Sequence, residues 1–122
     1  MYELEVYRSF SAAHKLCGYQ GDCAKLHGHN WQVTVVLEAK FLDEVGIAFD
    51  FKVLKKLLDG ILGDFDHSYL NDLPDFAGIN PTSENLARVI YRKLADSLNA
   101  PNVKVARVKV SESPSSTAVY YE

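Results

Sequence analysis

Cysteine is nearly absent: Cys17 and Cys23 are the only two among 122 residues, too few to frame a fold with disulfides. A bridge between them would close a small loop, but free thiols fit a reducing cytosol better. No apolar run approaches the ~20 residues that a membrane-spanning helix needs. The opening residues, Met-Tyr-Glu-Leu-Glu-Val, show neither the basic nor the apolar region of a signal peptide, and the expectation is a soluble, cytoplasmic chain. A basic excess is also missing. With 13 Lys and Arg against 16 Asp and Glu, the formal charge of −3 argues against a nucleic-acid surface, which works by neutralising phosphates. Charges of both signs are interspersed, so there is no charged tail. Repeats, low-complexity tracts and Pro- or Gly-rich linkers are lacking too, with 4 Pro and 7 Gly in all. What remains is a chain, 48% apolar, whose length suits one domain over residues 1–122 with a real core.

The apolar residues that are present change period along the chain. From Tyr2 to Phe10, Leu4, Val6 and Phe10 alternate with Glu3, Glu5 and Tyr7, the pattern of a half-buried strand. Residues 18–22 are turn chemistry. From Trp31 to Ala39, Val33, Val35 and Leu37 line one face of a second strand. Val53, Leu54, Leu57, Leu58, Ile61 and Leu62 then recur at helical spacing, predicting an amphipathic helix over 52–62. After Pro81, Thr82 or Ser83 can cap a second helix with Glu84 in its first turn and Leu86, Ile90, Leu94 and Leu98 as its buried stripe. Val103 and Val105 stand in one strand phase and Val108 and Val110 in the other, which a β-bulge near Ala106-Arg107 reconciles. Residues 117–121 form a last β-rich run. The order ββααββ predicts an α+β domain, a four-stranded antiparallel sheet with two helices on one face. Its edges need cover, either from other subunits or from bulges and the charges of Lys104 and Lys109.

The chain has four histidines, and three of them suit a metal. His27 and His29, two residues apart on an extended strand, point to the same side. His14 ends the first strand, which antiparallel pairing with the second brings nearby. Three imidazoles with one open position form the ligand set of a catalytic zinc, whereas structural zinc closes with four protein ligands. An isolated His-x-His pair is equally compatible with scattered surface histidines.

The larger pattern runs from Phe10-Ser-Ala-Ala-His14, through Cys23-Ala-Lys-Leu-His-Gly-His-Asn30, to Asp66-His67-Ser-Tyr-Leu-Asn-Asp72 and Asn80-Pro-Thr-Ser-Glu-Asn85. Closed by Val110-Ser-Glu112, it resembles the 6-pyruvoyltetrahydropterin and 6-carboxytetrahydropterin synthase family over nearly the whole chain. The Cys-x-x-x-His-Gly-His element is its most specific piece. The resemblance implies the tunnelling fold, whose ββααββ order agrees with the one read above. It also implies a homohexamer of two stacked trimeric barrels, with active sites between subunits.

By the same resemblance, His14, His27 and His29 hold Zn2+, and Cys23, Asp66 and His67 are catalytic. A thiolate beside a metal has a lowered pKa and can take a proton, although a free cysteine is more often a small buried apolar side chain. Asp66 orients His67, with a turn Asp and a helix-end His as the plainer alternative. Glu112 anchors the pterin by accepting two parallel hydrogen bonds and is expected to serve a metal site on another chain. Thr82 and Ser83 lie near the ring, and Lys15 and Lys25 are candidates for the triphosphate. The implied substrate is 7,8-dihydroneopterin triphosphate. The short chain and the Asp-His-x-Tyr-Leu-Asn-Asp run look closest to the bacterial carboxy enzyme of the queuosine pathway, which releases acetaldehyde and triphosphate. The alternatives are the pyruvoyl synthase, which eliminates triphosphate without cleaving the side chain, and a non-catalytic pterin- or metal-binding domain.

Overall fold

The two long strands at the N-terminal end pair without interruption. β1 (Tyr2–His14) and β2 (His27–Ala39) run antiparallel from Tyr2 opposite Ala39 to His14 opposite His27. The computed structural model describes residues 1–18 and 24–122. Both strands extend further toward the histidines than alternation alone indicated. Ser11, Ala12 and Ala13 are small and carry little hydrophobic signal, so here pairing with β2, rather than propensity, sets the strand.

After β2 come α1 (Phe51–Gly63), β3 (Ser68–Tyr69), α2 (Ser83–Ser97), β4 (Val103–Ser113) and β5 (Ser116–Tyr120). Among the described residues the sheet has five strands rather than the expected four, in the order β3-β1-β2-β4-β5. The extra strand, β3, is two residues long and runs parallel to β1, Ala12 opposite Ser68 and Ala13 opposite Tyr69. Two residues are too few to show a period, so only the partner strand reveals it.

The bulge in β4 falls where the change of phase predicts. Val36 pairs with Arg107 and Leu37 with Val105, leaving Ala106 unpaired. Val103, Val105, Val108 and Val110 are consequently all buried on the helix side. A second bulge was not legible in the sequence: Ser111 pairs with Thr117 and Ser113 with Ser116, which leaves Glu112 unpaired.

Both helices cover the same face of the sheet. Asp50 caps α1 by accepting from the Lys52 amide, and Thr82 caps α2 by accepting from the Asn85 amide. Leu54, Leu58, Ile61 and Leu62 of α1 and Leu86, Ala87, Ile90, Tyr91 and Leu94 of α2 pack onto Val6, Phe10, Trp31, Val33, Val35 and Leu37. Each fully buried side chain of this size contributes about 1.5–3 kcal/mol. Val53, assigned to the buried stripe from its spacing, is exposed instead. It lines a groove of about 760 Å³ between α1 and α2, away from the histidines.

The opposite face carries cross-strand ion pairs, Glu3 with Arg107, Glu5 with Lys109 and Glu38 with Lys104. These lysines sit on β4, between β2 and β5. Lys109 is paired with Val119 of β5 and blunts no edge, but β5 reaches only Val108–Ser113, so Lys104 stands on an uncovered stretch of β4, just as Tyr2–Ser11 of β1 lies beyond β3.

Candidate metal centre

His14, His27 and His29 come together because the β1–β2 register places His14 opposite His27 and Ala12 opposite His29, so all three rings project from one face. Their ligand-capable nitrogens lie within 4.8 Å of one another. His14 is 1% exposed, the one buried polar residue among the described residues.

Hydrogen bonds decide which nitrogen of the His14 and His27 rings is free. Nδ1 of His14 is 2.8 Å from the Pro81 carbonyl oxygen, and Nδ1 of His27 is 2.6 Å from that of Lys25. A carbonyl only accepts, so both Nδ1 atoms carry the proton and both neutral rings have a bare Nε2. Those two Nε2 atoms face each other at 3.0 Å. Two lone pairs at that distance repel, and a cation between them removes the conflict. Nitrogens at about 2.0–2.1 Å from a tetrahedral ion stand about 3.3 Å apart, close to the spacing seen. Nε2 of His29 is buried and has no hydrogen-bond partner among the described residues, which supplies the third ligand atom. The donor set fits a metal ion.

The electrostatics agree. Burial, above all, holds the His14 and His29 pKa values below the ordinary 6.5, with the neighbouring imidazoles adding to the effect. The Pro81 hydrogen bond at His14 and the Glu112 charge at both rings oppose it. Neutral imidazole is the form that ligates.

Glu112 approaches the cluster within its own chain: its Oε2 is 3.7 Å from Nε2 of His29. Its place in the bulge re-aims the side chain, and β4 beyond Ser111 runs toward the histidine end of β2. Ser83 and Glu112 line one small cleft of about 350 Å³. Thr82 is accounted for by its cap on α2.

Asp66 and His67 stand at the β3 edge of β1. Asp66 Oδ1 accepts from the Ser11 amide at 2.9 Å and lies 3.0 Å from Nδ1 of His67. Its pKa is lowered, first by the Ser11 amide and then by His67. His67 has φ 57, a left-handed conformation uncommon outside glycine, and its amide donates to the Ser11 carbonyl at 2.6 Å. The side chain is 82% exposed. A cleft of about 470 Å³ is lined by His67, Ser68, Ser11–Ala13 and Gly28–Asn30, so His67 and His29 border one cavity. Lys25 reaches the centre through its carbonyl, and its side chain is exposed. Lys15 is also exposed. Cys23 lies outside the described residues.

Two contributors escaped the sequence reading. The Trp31 ring lies edge-on beneath His14 and His29, with centroids 4.9 and 5.1 Å away. Its Nε1–H donates to the Ala12 carbonyl at 3.2 Å. Two-residue periodicity from His29 was the signal that would have found it. The carbonyls of Pro81 and Lys25 carry no such signal, since every residue has one.

A sequence profile of the family described as 6-pyruvoyl tetrahydropterin synthase matches residues 3–122. The 6-carboxy-5,6,7,8-tetrahydropterin synthase of Bacillus subtilis is 35% identical, over 98% of this chain and 84% of its own. A dihydroneopterin monophosphate aldolase of Pyrococcus furiosus is 36% identical, over 88% of this chain and 87% of its own. Among solved structures, that of Caenorhabditis elegans 6-pyruvoyl tetrahydropterin synthase superposes with a TM-score of 0.88 at 28% identity, covering 99% of this chain and 95% of the other.

Proposed function

Because the chain belongs to the 6-pyruvoyl tetrahydropterin synthase family, we propose that it is a zinc-dependent 6-carboxy-5,6,7,8-tetrahydropterin synthase. It takes 7,8-dihydroneopterin triphosphate and one water to 6-carboxy-5,6,7,8-tetrahydropterin, acetaldehyde and triphosphate, as a step toward queuosine and related 7-deazapurines. The observation that carries the reading is the convergence of three ligand-capable imidazole nitrogens in one partly buried cluster. The name of the B. subtilis relative supports the carboxy product.

In this reading His14, His27 and His29 hold the ion, which when bound polarises the hydroxyls of the substrate side chain. Glu112 accepts two parallel hydrogen bonds from the pterin amino group and ring N–H, fixing the ring, with Ser83 beside it. The Cys23 thiolate removes a proton from side-chain carbon. Asp66, 3.0 Å from Nδ1 of His67, holds the proton there, so Nε2 is the atom that exchanges one with a substrate hydroxyl. Lys25 and Lys15 are the proposed contacts to the triphosphate. The working form is a cytoplasmic homohexamer, a dimer of trimers, in which edge-to-edge closure covers the open edges of the sheet. No described helix is long and apolar enough to cross a membrane.

The deciding experiment is product analysis by mass spectrometry with an enzymatic assay for acetaldehyde. Equal amounts of carboxypterin and acetaldehyde are expected. A 6-pyruvoyl product without acetaldehyde, or cleavage of dihydroneopterin monophosphate in preference to the triphosphate, would replace the carboxy assignment. Pterin binding without turnover would leave a non-catalytic domain. Sedimentation tests the assembly: a fully active monomer at micromolar concentration would overturn the hexamer.

A further inference from the structure

Two asparagines make the same unusual contact next to the metal cluster. Asn71 Oδ1 accepts from the Lys15 amide at 2.9 Å, and its Nδ2 donates to the Lys15 carbonyl at 2.8 Å. Asn80 Oδ1 accepts from the Cys17 amide at 2.8 Å, and its Nδ2 donates to the Cys17 carbonyl, also at 2.8 Å. A carboxamide presents a carbonyl acceptor beside an N–H donor, so it can pair with the N–H and C=O of one residue as a neighbouring strand does. Lys15 and Cys17 are alternate residues, whose backbone groups face one edge of an extended chain. β3 ends at Tyr69, and beyond it the two side chains continue its role along the edge of the chain that leaves β1.

The same segment grips His14. Pro81, next to Asn80, supplies the carbonyl that holds Nδ1 of His14. Asn80 is itself anchored: its carbonyl accepts from Asn85 Nδ2 at 2.8 Å and from the Thr82 amide at 2.9 Å. The start of α2 therefore fixes Asn80 and Pro81, and these fix Cys17 and His14.

We infer that Asn80, assisted by Asn71, is a positioning residue for the metal centre, setting the direction of the His14 Nε2 lone pair by locking the backbone that follows it. This rests on the assignment of His14 as a metal ligand. The plainer alternative is a loop fastener that affects stability alone. The structure provides an internal control, because Asn102 makes a similar bracket on Lys40 and Phe41. That bracket lies at the other end of β2, about 40 Å from His27 along a strand of 13 residues.

The test compares zinc affinity, by chelator competition, with the melting temperature of the metal-free full-length chain in Asn80→Ala, Asn71→Ala, the double variant and Asn102→Ala. Asn80→Ala is expected to weaken zinc binding by about 10- to 100-fold, the usual effect of losing a group that orients a ligand. Asn71→Ala should weaken it less, and Asn80→Asp, which keeps the acceptor for the Cys17 amide, should recover part of the loss. Asn102→Ala should lower the melting temperature and leave zinc affinity unchanged. Equal zinc affinity in wild type and the double variant, or an equal loss in Asn102→Ala, overturns the inference. Hydrogen exchange on the wild type gives a check that needs no variant to fold. The Lys15 and Cys17 amides should be protected like those of β1, and exchange at free-loop rates overturns the inference. A wild type that binds no zinc overturns the metal assignment itself, and the inference with it; binding by the wild type with no effect in the variants overturns the inference alone.

Discussion

His14 and His27 turn their Nε2 atoms toward each other at 3.0 Å while each Nδ1 donates to a backbone carbonyl. A neutral pair cannot satisfy this arrangement by hydrogen bonding, because neither Nε2 carries a proton. Purified protein should therefore hold about one metal ion per chain, and we expect zinc. Replacing His27 or His29 by Ala should abolish metal retention and turnover together. Elemental analysis of the two variants checks this, and full occupancy in both would dismiss the site.

The two cysteines should behave differently. Cys23→Ala is expected to retain zinc and pterin binding while kcat falls by about 10²- to 10⁴-fold, the range for loss of a proton-transfer group. Cys17, exposed and held by Asn80 through its backbone alone, should tolerate Ala with little change. Steady-state kinetics and pterin titration on both variants decide the point; equal behaviour would remove the distinction.

Trp31 is fully buried and touches both the core and the cluster, stacking on Phe10 at 6.2 Å and meeting His14 at 4.9 Å. Trp31→Ala should cost about 3–5 kcal/mol of stability and weaken zinc binding as well, since the rings above it lose their support. Trp31→Phe should cost less on both counts. Denaturant unfolding and chelator competition supply the two readouts, and an unchanged zinc affinity in Trp31→Ala would confine this residue to the core.

Burial keeps the pKa of His14 and His29 below 6.5 in the folded, metal-free chain. Below that value the unfolded chain binds more protons than the folded one, so stability rises with pH there. Their contribution is complete above pH 6.5 and is lost as pH falls toward the depressed folded values. The metal-free melting temperature should hold steady between about pH 7 and 8 and drop as the solution is acidified from about 6.5. His14→Asn should flatten that drop. A wild-type melting temperature that stays constant on acidification would show that the two rings are not held neutral by the fold.

Much of this was legible in the residues. The 3.6-residue spacing of α1 and α2, the alternation of β1 and β2 and the phase change at Ala106 are local signals, because each depends on which side of one element an apolar side chain must face. His27 and His29 were placed on one face by strand geometry alone. Tertiary structure decided the rest, and for a common reason: contacts between distant segments leave no periodic trace. β3 exists only because β1 offers an edge to Ser68 and Tyr69. Val53 turned outward because α1 presents a narrower face to the sheet than its apolar content allows. Glu112 reached its own chain's His29 through a bulge set by pairing with β5. The protonation of the ligand rings depended on the carbonyls of Pro81 and Lys25, groups identical in every residue and made specific only by where the fold puts them.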